Sequence, residues 1–333
     1  MHVIEEGCMG RSHVLRNHRL AFCILRGRGV AAQVLLCCVL GLSLWMVPSR
    51  LSAASHRTIQ KRFRVGSGAI LALKTHTGSV SITGGPSDEI SIDVNVRGRD
   101  KDVKDFEVTA EQTGDQIDVS GLLQTEGAWI WYSPDLRVSY EVIVPRECRL
   151  RVHTSQGYIT VHNVKGVLKG GTSEGDISIS NCDGDINLET FGGSLKADSC
   201  AGTIGMSTSC GGINFSAITG DVDVSTSAGD VRILDVEGKI RAWTAGGNMI
   251  VRMRGSNKGV HVETSGGDIS VFLPASAAGT IDAEAVAGVV KCSLPGHLVG
   301  EIGENDLDAK INGGGDPIYA HTVGGDVRFL VAD

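Results

Sequence analysis

The stretch Thr172-Ser173-Glu174-Gly175-Asp176-Ile177-Ser178-Ile179 decides the fold. Its glycine belongs to a series spaced nine residues apart: Gly157, Gly166, Gly175, Gly184, Gly193, Gly202, Gly211, Gly220, Gly229, Gly238 and Gly247. Apolar residues follow at positions two and four after the glycine, as in Gly229-Asp230-Val231-Arg232-Ile233. Alternation with period two marks a strand with one buried face. The inward pairs include Ile159 and Val161, Ile213 and Phe215, and Met249 and Val251; only Gly170 is smaller than alanine. The residues between them are mostly Asp, Asn, Ser, Thr, Lys or Arg, which suit a wet face. Nine residues give a strand of about five and a turn of about four. Glycine at the turn admits positive φ at no steric cost.

A second period lies over the first. Alternate turns read Thr-x-x-Gly, at Thr154, Thr172, Thr190, Thr208, Thr226 and Thr244. The turns between read Asn163-Val164-Lys165-Gly166 and Asn181-Cys182-Asp183-Gly184. The unit is therefore eighteen residues, two strands and two turns. One such unit cannot bury its apolar face, whereas stacked units can. The expectation is an all-β fold: a parallel β-solenoid (β-helix) with 18-residue coils, capped by an N-terminal β region. Coils should lie about 4.8 Å apart. Residues eighteen apart then touch. Asp221 meets Lys239 and Asp223 meets Arg241, exposed pairs worth a few tenths of a kcal/mol each. Val164, Cys182, Cys200, Ile218 and Val236 form an inward column.

Working outward, the chain divides into four segments. Residues 1–54 read as a signal peptide or membrane anchor. Arg11, Arg16, Arg19, Arg26 and Arg28 precede an apolar run from Val30 to Val47, and Ser52-Ala53-Ala54-Ser55 follows. That order is the order of a secretory signal, with cleavage expected near Ala53 or Ala54. The run of 18 residues is also long enough for an anchor. Residues 55–149 read as an N-terminal β cap and first strands, including Gly78-Ser79-Val80-Ser81-Ile82, the repeat unit in small. Residues 150–275 are the regular solenoid, and 276–333 are degenerate C-terminal coils and cap, where the turn returns as Thr322-Val323-Gly324-Gly325. Weakened ends are expected, because a solenoid must blunt its terminal strands.

The chain of 333 residues has net charge −7. Its first fifty residues carry six Arg and two Glu, so the rest carries 25 Lys and Arg against 36 Asp and Glu, or −11. An acidic body offers no electrostatic footprint for nucleic acid. Beyond the leader stand Cys148, Cys182, Cys200, Cys210 and Cys292, an odd number without metal-site spacing. Cys182 and Cys200 fall in adjacent coils, where they read as small buried hydrophobes or as a disulfide.

This layout resembles the bacterial "putative adhesin" family, an exported β-solenoid domain of unknown function. The resemblance rests on the leader, on Gly78-Ser79-Val80-Ser81-Ile82, and on the strand Val142-Ile143-Val144-Pro145. It rests also on the Thr-Ser-x-Gly-Asp turns at Thr172, Thr226 and Thr264, and on Ser270-Val271-Phe272-Leu273-Pro274. It covers roughly residues 60 to 331. It implies a surface or periplasmic binding role and carries over no catalytic residues.

Candidate sites are few. Carbohydrate-cleaving solenoids need paired carboxylates or Ca²⁺ on one face. Here Asp176, Asp185 and Asp221 have Ser194, Thr203 and Lys239 eighteen residues on, and His153, His162, His261, His297 and His321 share no column. The turns lack the second glycine and the Asp of Ca²⁺-binding nonapeptides. The Asp after each glycine reads as a solvated turn residue, and the threonine column as a structural turn device. The aromatic cluster Trp129-Ile130-Trp131-Tyr132 stands out. Trp129, Trp131 and Tyr132 read either as a stacking platform for a sugar or partner, or as rings covering the first coil.

The expectation is an exported, non-enzymatic binding or structural module at the cell envelope, with no catalytic residue, cofactor or metal. Its partners would be envelope glycans or another surface protein, with membrane contact only through an uncleaved leader. The alternatives are a carbohydrate-active, lyase-like solenoid and a self-assembling envelope scaffold.

Overall fold

A computed structural model describes residues 55–124 and 135–332. The leader and the cluster Trp129, Trp131 and Tyr132 lie outside the described residues. Residues Ser52–Asp333 form one compact unit. Among the described residues its regular structure is strand, with one helical turn, Asp100–Asp105.

The strands fall into two ladders that enclose one core. The front ladder passes through Cys148–Gln156, Lys165–Glu174, Asp183–Thr190, Ala201–Thr208, Val222–Thr226, Ile240–Thr244 and Val260–Thr264, each parallel to the next. The back ladder passes likewise through Ile159–His162, Ile177–Ser180, Leu195–Asp198, Ile213–Thr219, Val231–Glu237, Met249–Met253 and Ile269–Leu273. Partners are eighteen residues apart, as in Ile186 with Ile204 and Ile213 with Val231. The step to Val260 is longer, Ile240 pairing with Val260 across the inserted Ser256-Asn257-Lys258. A long, mostly parallel pairing of this kind is consistent with a solenoid. The inward residues of both ladders, including Ile186, Leu188, Ile213 and Phe215, make a single buried cluster. The column Val164, Cys182, Cys200, Ile218 and Val236 is buried too. Cys182 and Cys200 are free thiols, and burial and the neighbouring sulfur push Cys200 up.

Two side-chain devices bind coil to coil. Each threonine of the Thr-x-x-Gly turns is buried, and its hydroxyl donates to a glycine carbonyl of the neighbouring coil: Thr172 to Gly157 (3.1 Å), Thr190 to Gly175 (2.9 Å), Thr208 to Gly193 (2.7 Å), Thr226 to Gly211 (2.9 Å). The glycines are held by the same stacking. A Cβ on Gly193 would collide with the carbonyl oxygen of Gly175, and one on Gly184 with that of Gly166. Gly184 also has φ +138°, which side-chain-bearing residues rarely adopt. The aspartates after the glycines are exposed, as expected of solvated turn residues. Asp176, Asp221 and Asp230 each also accept a hydrogen bond from the backbone N–H eighteen residues on, at Ser194, Lys239 and Asn248 (2.8, 3.1 and 2.8 Å). They add inter-coil links to that role. The intervening turns place Asn163, Asn181, Ser199, Ala217 and Asp235 at φ of +51° to +58°. Asn and Asp tolerate that region, and Ala217 bears its steric cost.

At both ends a coil is inserted out of sequence order. The strands Ala69–Thr77 and Ser79–Gly85 stack on Cys148–Gln156 and Ile159–His162, with partners 79 residues apart, Val80 with Ile159. The intervening chain lies on their other side, as Gln116–Leu123 and Leu136–Pro145, flanked by antiparallel Phe106–Thr113, Glu89–Gly98 and Ser55–Arg64. There the buried Tyr140 hydroxyl meets Thr75 Oγ1 at 3.0 Å, and burial lifts its pKa to about 12. At the other end, Pro317–Thr322 and Val327–Val331 stack on Val260–Thr264 and Ile269–Leu273, with partners 58 residues apart, Val260 with Ile318. Gly279–Ala285, Asp306–Ile311 and Leu298–Ile302 lie beyond. The threonine link survives both insertions, Thr154 donating to Gly78 (3.2 Å) and Thr322 to Gly267 (2.8 Å).

Candidate functional site

The C-terminal insertion brings chemistry together on the outer face of the front ladder. Strand alternation turns His261 and Glu263, then Tyr319 and His321, then Asp282 and Glu284 outward from neighbouring strands. In register, His261 lies beside Tyr319 and Tyr319 beside Asp282; Glu263 lies beside His321 and His321 beside Glu284. The rings of His261 and Tyr319 stack, with centroids 4.5 Å apart and planes 17° apart, and His321 follows 6.5 Å beyond Tyr319. His261 Nε2 lies 3.2 Å from Glu263 Oε1, and His321 Nε2 lies 3.5 Å from Glu284 Oε2. Partial burial, then the negative charges of Glu263, Asp282 and Glu284, push the Tyr319 hydroxyl above its ordinary range. Trp243 is the ladder neighbour of Glu263 and is 41 % exposed.

The acidic side chains continue toward the end of the ladder. Asp282 faces Asp308 and Asp308 faces Glu301, while Glu284 faces Asp306. All five carboxylates are exposed on an open sheet face. Like charges set directly opposite each other destabilise a sheet; such pairs occur also at Glu111 with Asp118 and Asp93 with Glu141, but the run of three, Asp282, Asp308 and Glu301, lies here. The face can offer aromatic edges, imidazole donors and acceptors, and a dense row of carboxylate acceptors.

Arithmetic in steps of eighteen missed this cluster, because the 58-residue step carries His321 to Glu263. A signal was present. Aligning Thr264-Ser265-Gly266-Gly267 on Thr322-Val323-Gly324-Gly325 sets His261 against Tyr319 and Glu263 against His321. His153 and His162 lie elsewhere, on Cys148–Gln156 and Ile159–His162. His153 lines an open depression of about 500 Å³ at the other end of the front face, with Lys74, Glu111, Asp118 and Arg151. Of the two charge pairs read from the sequence, Asp223 and Arg241 approach to 4.0 Å, and Asp221 binds the backbone of Lys239. Among the described residues no helix is long and apolar enough to cross a membrane.

Known structures with a similar course are distant. A putative cell adhesion protein from Clostridium sporogenes is 13% identical, with 84% of this chain and 100% of that chain covered and a TM-score of 0.25. A putative adhesin from Bacteroides fragilis is 11% identical, covering 82% and 97%, with a TM-score of 0.39. A putative lipid binding protein from Parabacteroides distasonis is 10% identical, covering 82% and 97%, with a TM-score of 0.26. At such scores none of them carries a functional argument. No curated protein matches the chain. The family match spans the inserted coils as well as the regular repeats, residues 70–330, and by it the chain belongs to the Toastrack DUF4097 family.

Proposed function

We propose that the protein is an exported, non-enzymatic binding module of the cell envelope whose recognition face is the C-terminal part of the front ladder. The 18-residue unit is its coil and residues 55–149 hold its N-terminal cap. The observation that carries the reading is the stacked His261, Tyr319 and His321 row, bordered by Trp243 and by the exposed carboxylates of Asp282, Asp308 and Glu301. Aromatic rings and carboxylates side by side suit the hydroxyls and ring faces of a glycan. The leader of residues 1–54 supports export. Trp129, Trp131 and Tyr132 are a second proposed contact.

The test is a glycan and envelope-polymer screen on residues 52–333. A Trp243→Ala, Tyr319→Ala double variant and a Trp129→Ala, Trp131→Ala double variant run beside it. Binding lost in the first variant supports the sheet face, and binding lost only in the second moves the site to the aromatic cluster. Absence of binding in the folded parent overturns the reading.

The row Asp282, Asp308, Glu301 favours a second reading, a carbohydrate-active, lyase-like module. Polymer shortened by the parent and left intact by Asp308→Asn would replace the first reading with this one.

A further inference from the structure

We propose that the terminal strand Leu298–Ile302 is a docking edge for an extended segment of another protein in which apolar residues alternate with lysine or arginine. Among the described residues this strand pairs on one side only, with Asp306–Ile311. Its outward and inward rows differ in chemistry. Outward, Glu301 stands beside Asp308, and Val299, 55% exposed, beside Lys310, so that Glu301 is the one charge on the edge strand itself. Inward, Ile302 shares the face of buried Leu307, yet it is 67% exposed. Its exposure has a topological cause. The front ladder runs three strands beyond Pro317–Thr322, whereas the back ladder runs one, Val290–Cys292, beyond Val327–Val331. Among the described residues no strand of the back ladder lies opposite Leu298–Ile302.

Exposed sheet edges are normally guarded by Lys, Pro or inward-pointing charge. Of the two edge strands at the opposite end, Phe106–Thr113 carries no Lys, Arg or Pro, whereas that of the back ladder is guarded in this way. That strand, Ser55–Arg64, carries Arg57, Lys61, Arg62 and Arg64, and Arg57 and Lys61 point inward, paired with buried Val96 and Ile92. Leu298–Ile302 has no Lys, Arg or Pro. An added strand with apolar residues inward would cover Ile302. Its cations on the outward row would meet Glu301 and Asp308, relieving the like-charge contact. Backbone pairing supplies affinity and the alternating side chains supply selectivity.

A second copy fits poorly. The stepped ends of two copies interlock when front ladder meets front ladder, which sets Glu301 against a strand carrying Glu107 and Glu111. Pairing of Leu298–Ile302 with its own copy would bring no Lys or Arg to Glu301. The occupant proposed is therefore a separate chain, and the inference does not depend on glycan binding by the aromatic face.

The test uses residues 52–333, which form a compact unit. A fluorescent peptide alternating valine and lysine, and its counterpart alternating valine and glutamate, are titrated by anisotropy, with amide exchange followed along Leu298–Ile302. The lysine peptide should bind saturably and slow exchange there, and the glutamate peptide should not bind. Glu301→Lys should weaken binding roughly tenfold or more, since it sets like charges opposite each other. Ile302→Ser should weaken it as well, and Arg62→Glu at the far end should leave it unchanged. Equal binding of both peptides, binding of neither, or binding that survives Glu301→Lys overturns the proposal. Concentration-dependent self-association abolished by Glu301→Lys also overturns it, by making a second copy the occupant.

Discussion

The regular middle of the molecule and its C-terminal end use the same devices but differ in how they are stacked. In the middle, every strand lies on the one eighteen residues before it, and opposite charges or polar residues face one another on the outside, as Lys165 with Asp183 at 3.6 Å. At the C-terminal end, a later coil is inserted beneath an earlier excursion, and carboxylate faces carboxylate. The threonine link to glycine continues across that junction unchanged. On the proposed function, stability and recognition are thus separated along one stack. The inward residues and turns are constrained by close backbone approach, which leaves the outer rows free to carry chemistry that does not serve folding.

Substitutions that break the middle sharpen this contrast. The largest effect is expected from Val222→Asp, which puts an unpaired charge at a side chain 2% exposed. We expect a loss of about 3 kcal/mol or more and a clear fall in Tm. An unchanged melting curve would contradict the inward assignment. Gly193→Ala should cost about 1–3 kcal/mol, because its Cβ would overlap the Gly175 carbonyl. Gly246→Ala, with nothing within 4 Å, should be neutral or slightly stabilising in the same chemical denaturation series.

Smaller effects follow from the turns. Thr208→Val should lose about 1 kcal/mol in urea unfolding with its 2.7 Å bond to Gly193, and Thr208→Ser should lose less. Ala217→Gly relieves a φ of +54° and should raise stability by about 1 kcal/mol or less.

The junction itself has a pH signature. Asp268 accepts from the Asp326 N–H at 3.0 Å and pairs with Arg328 at 2.9 Å, and these contacts hold its carboxyl below the usual range. A depressed folded-state pKa stabilises above the unfolded value, about pH 4, and the contribution is lost as pH falls through the folded value. Amide protection factors in Val327–Val331, exchange rates corrected for the intrinsic rate at each pH, should therefore fall on acidification below pH 4 in the parent and fall less in Asp268→Asn.

Much of the core was legible in the sequence because its spacing never slips between Gly157 and Gly247. Inward columns such as Val164 to Val236 could be read by counting. Counting failed where the chain leaves the spiral and returns, since nothing in residues 274–316 states how many strands the excursion contributes or on which side the returning coil lies. His321 therefore looked isolated, although it sits between Glu263 and Glu284. The aspartates after glycine are exposed as read, but their second role was not legible. Sequence spacing identified their ladder neighbours but not that their carboxylates accept from the next coil's backbone N–H.

The most direct test of the account is a disulfide across the inserted coil. In a background with Cys210→Ser and Cys292→Ser, cysteines replace Glu263 and His321, which are ladder neighbours. Oxidation followed by peptide mass mapping should find the 263–321 linkage in the folded monomer. Its absence, with a 263–284 linkage forming instead in the corresponding Glu263→Cys, Glu284→Cys pair, would contradict the inserted coil and dissolve the site built on it.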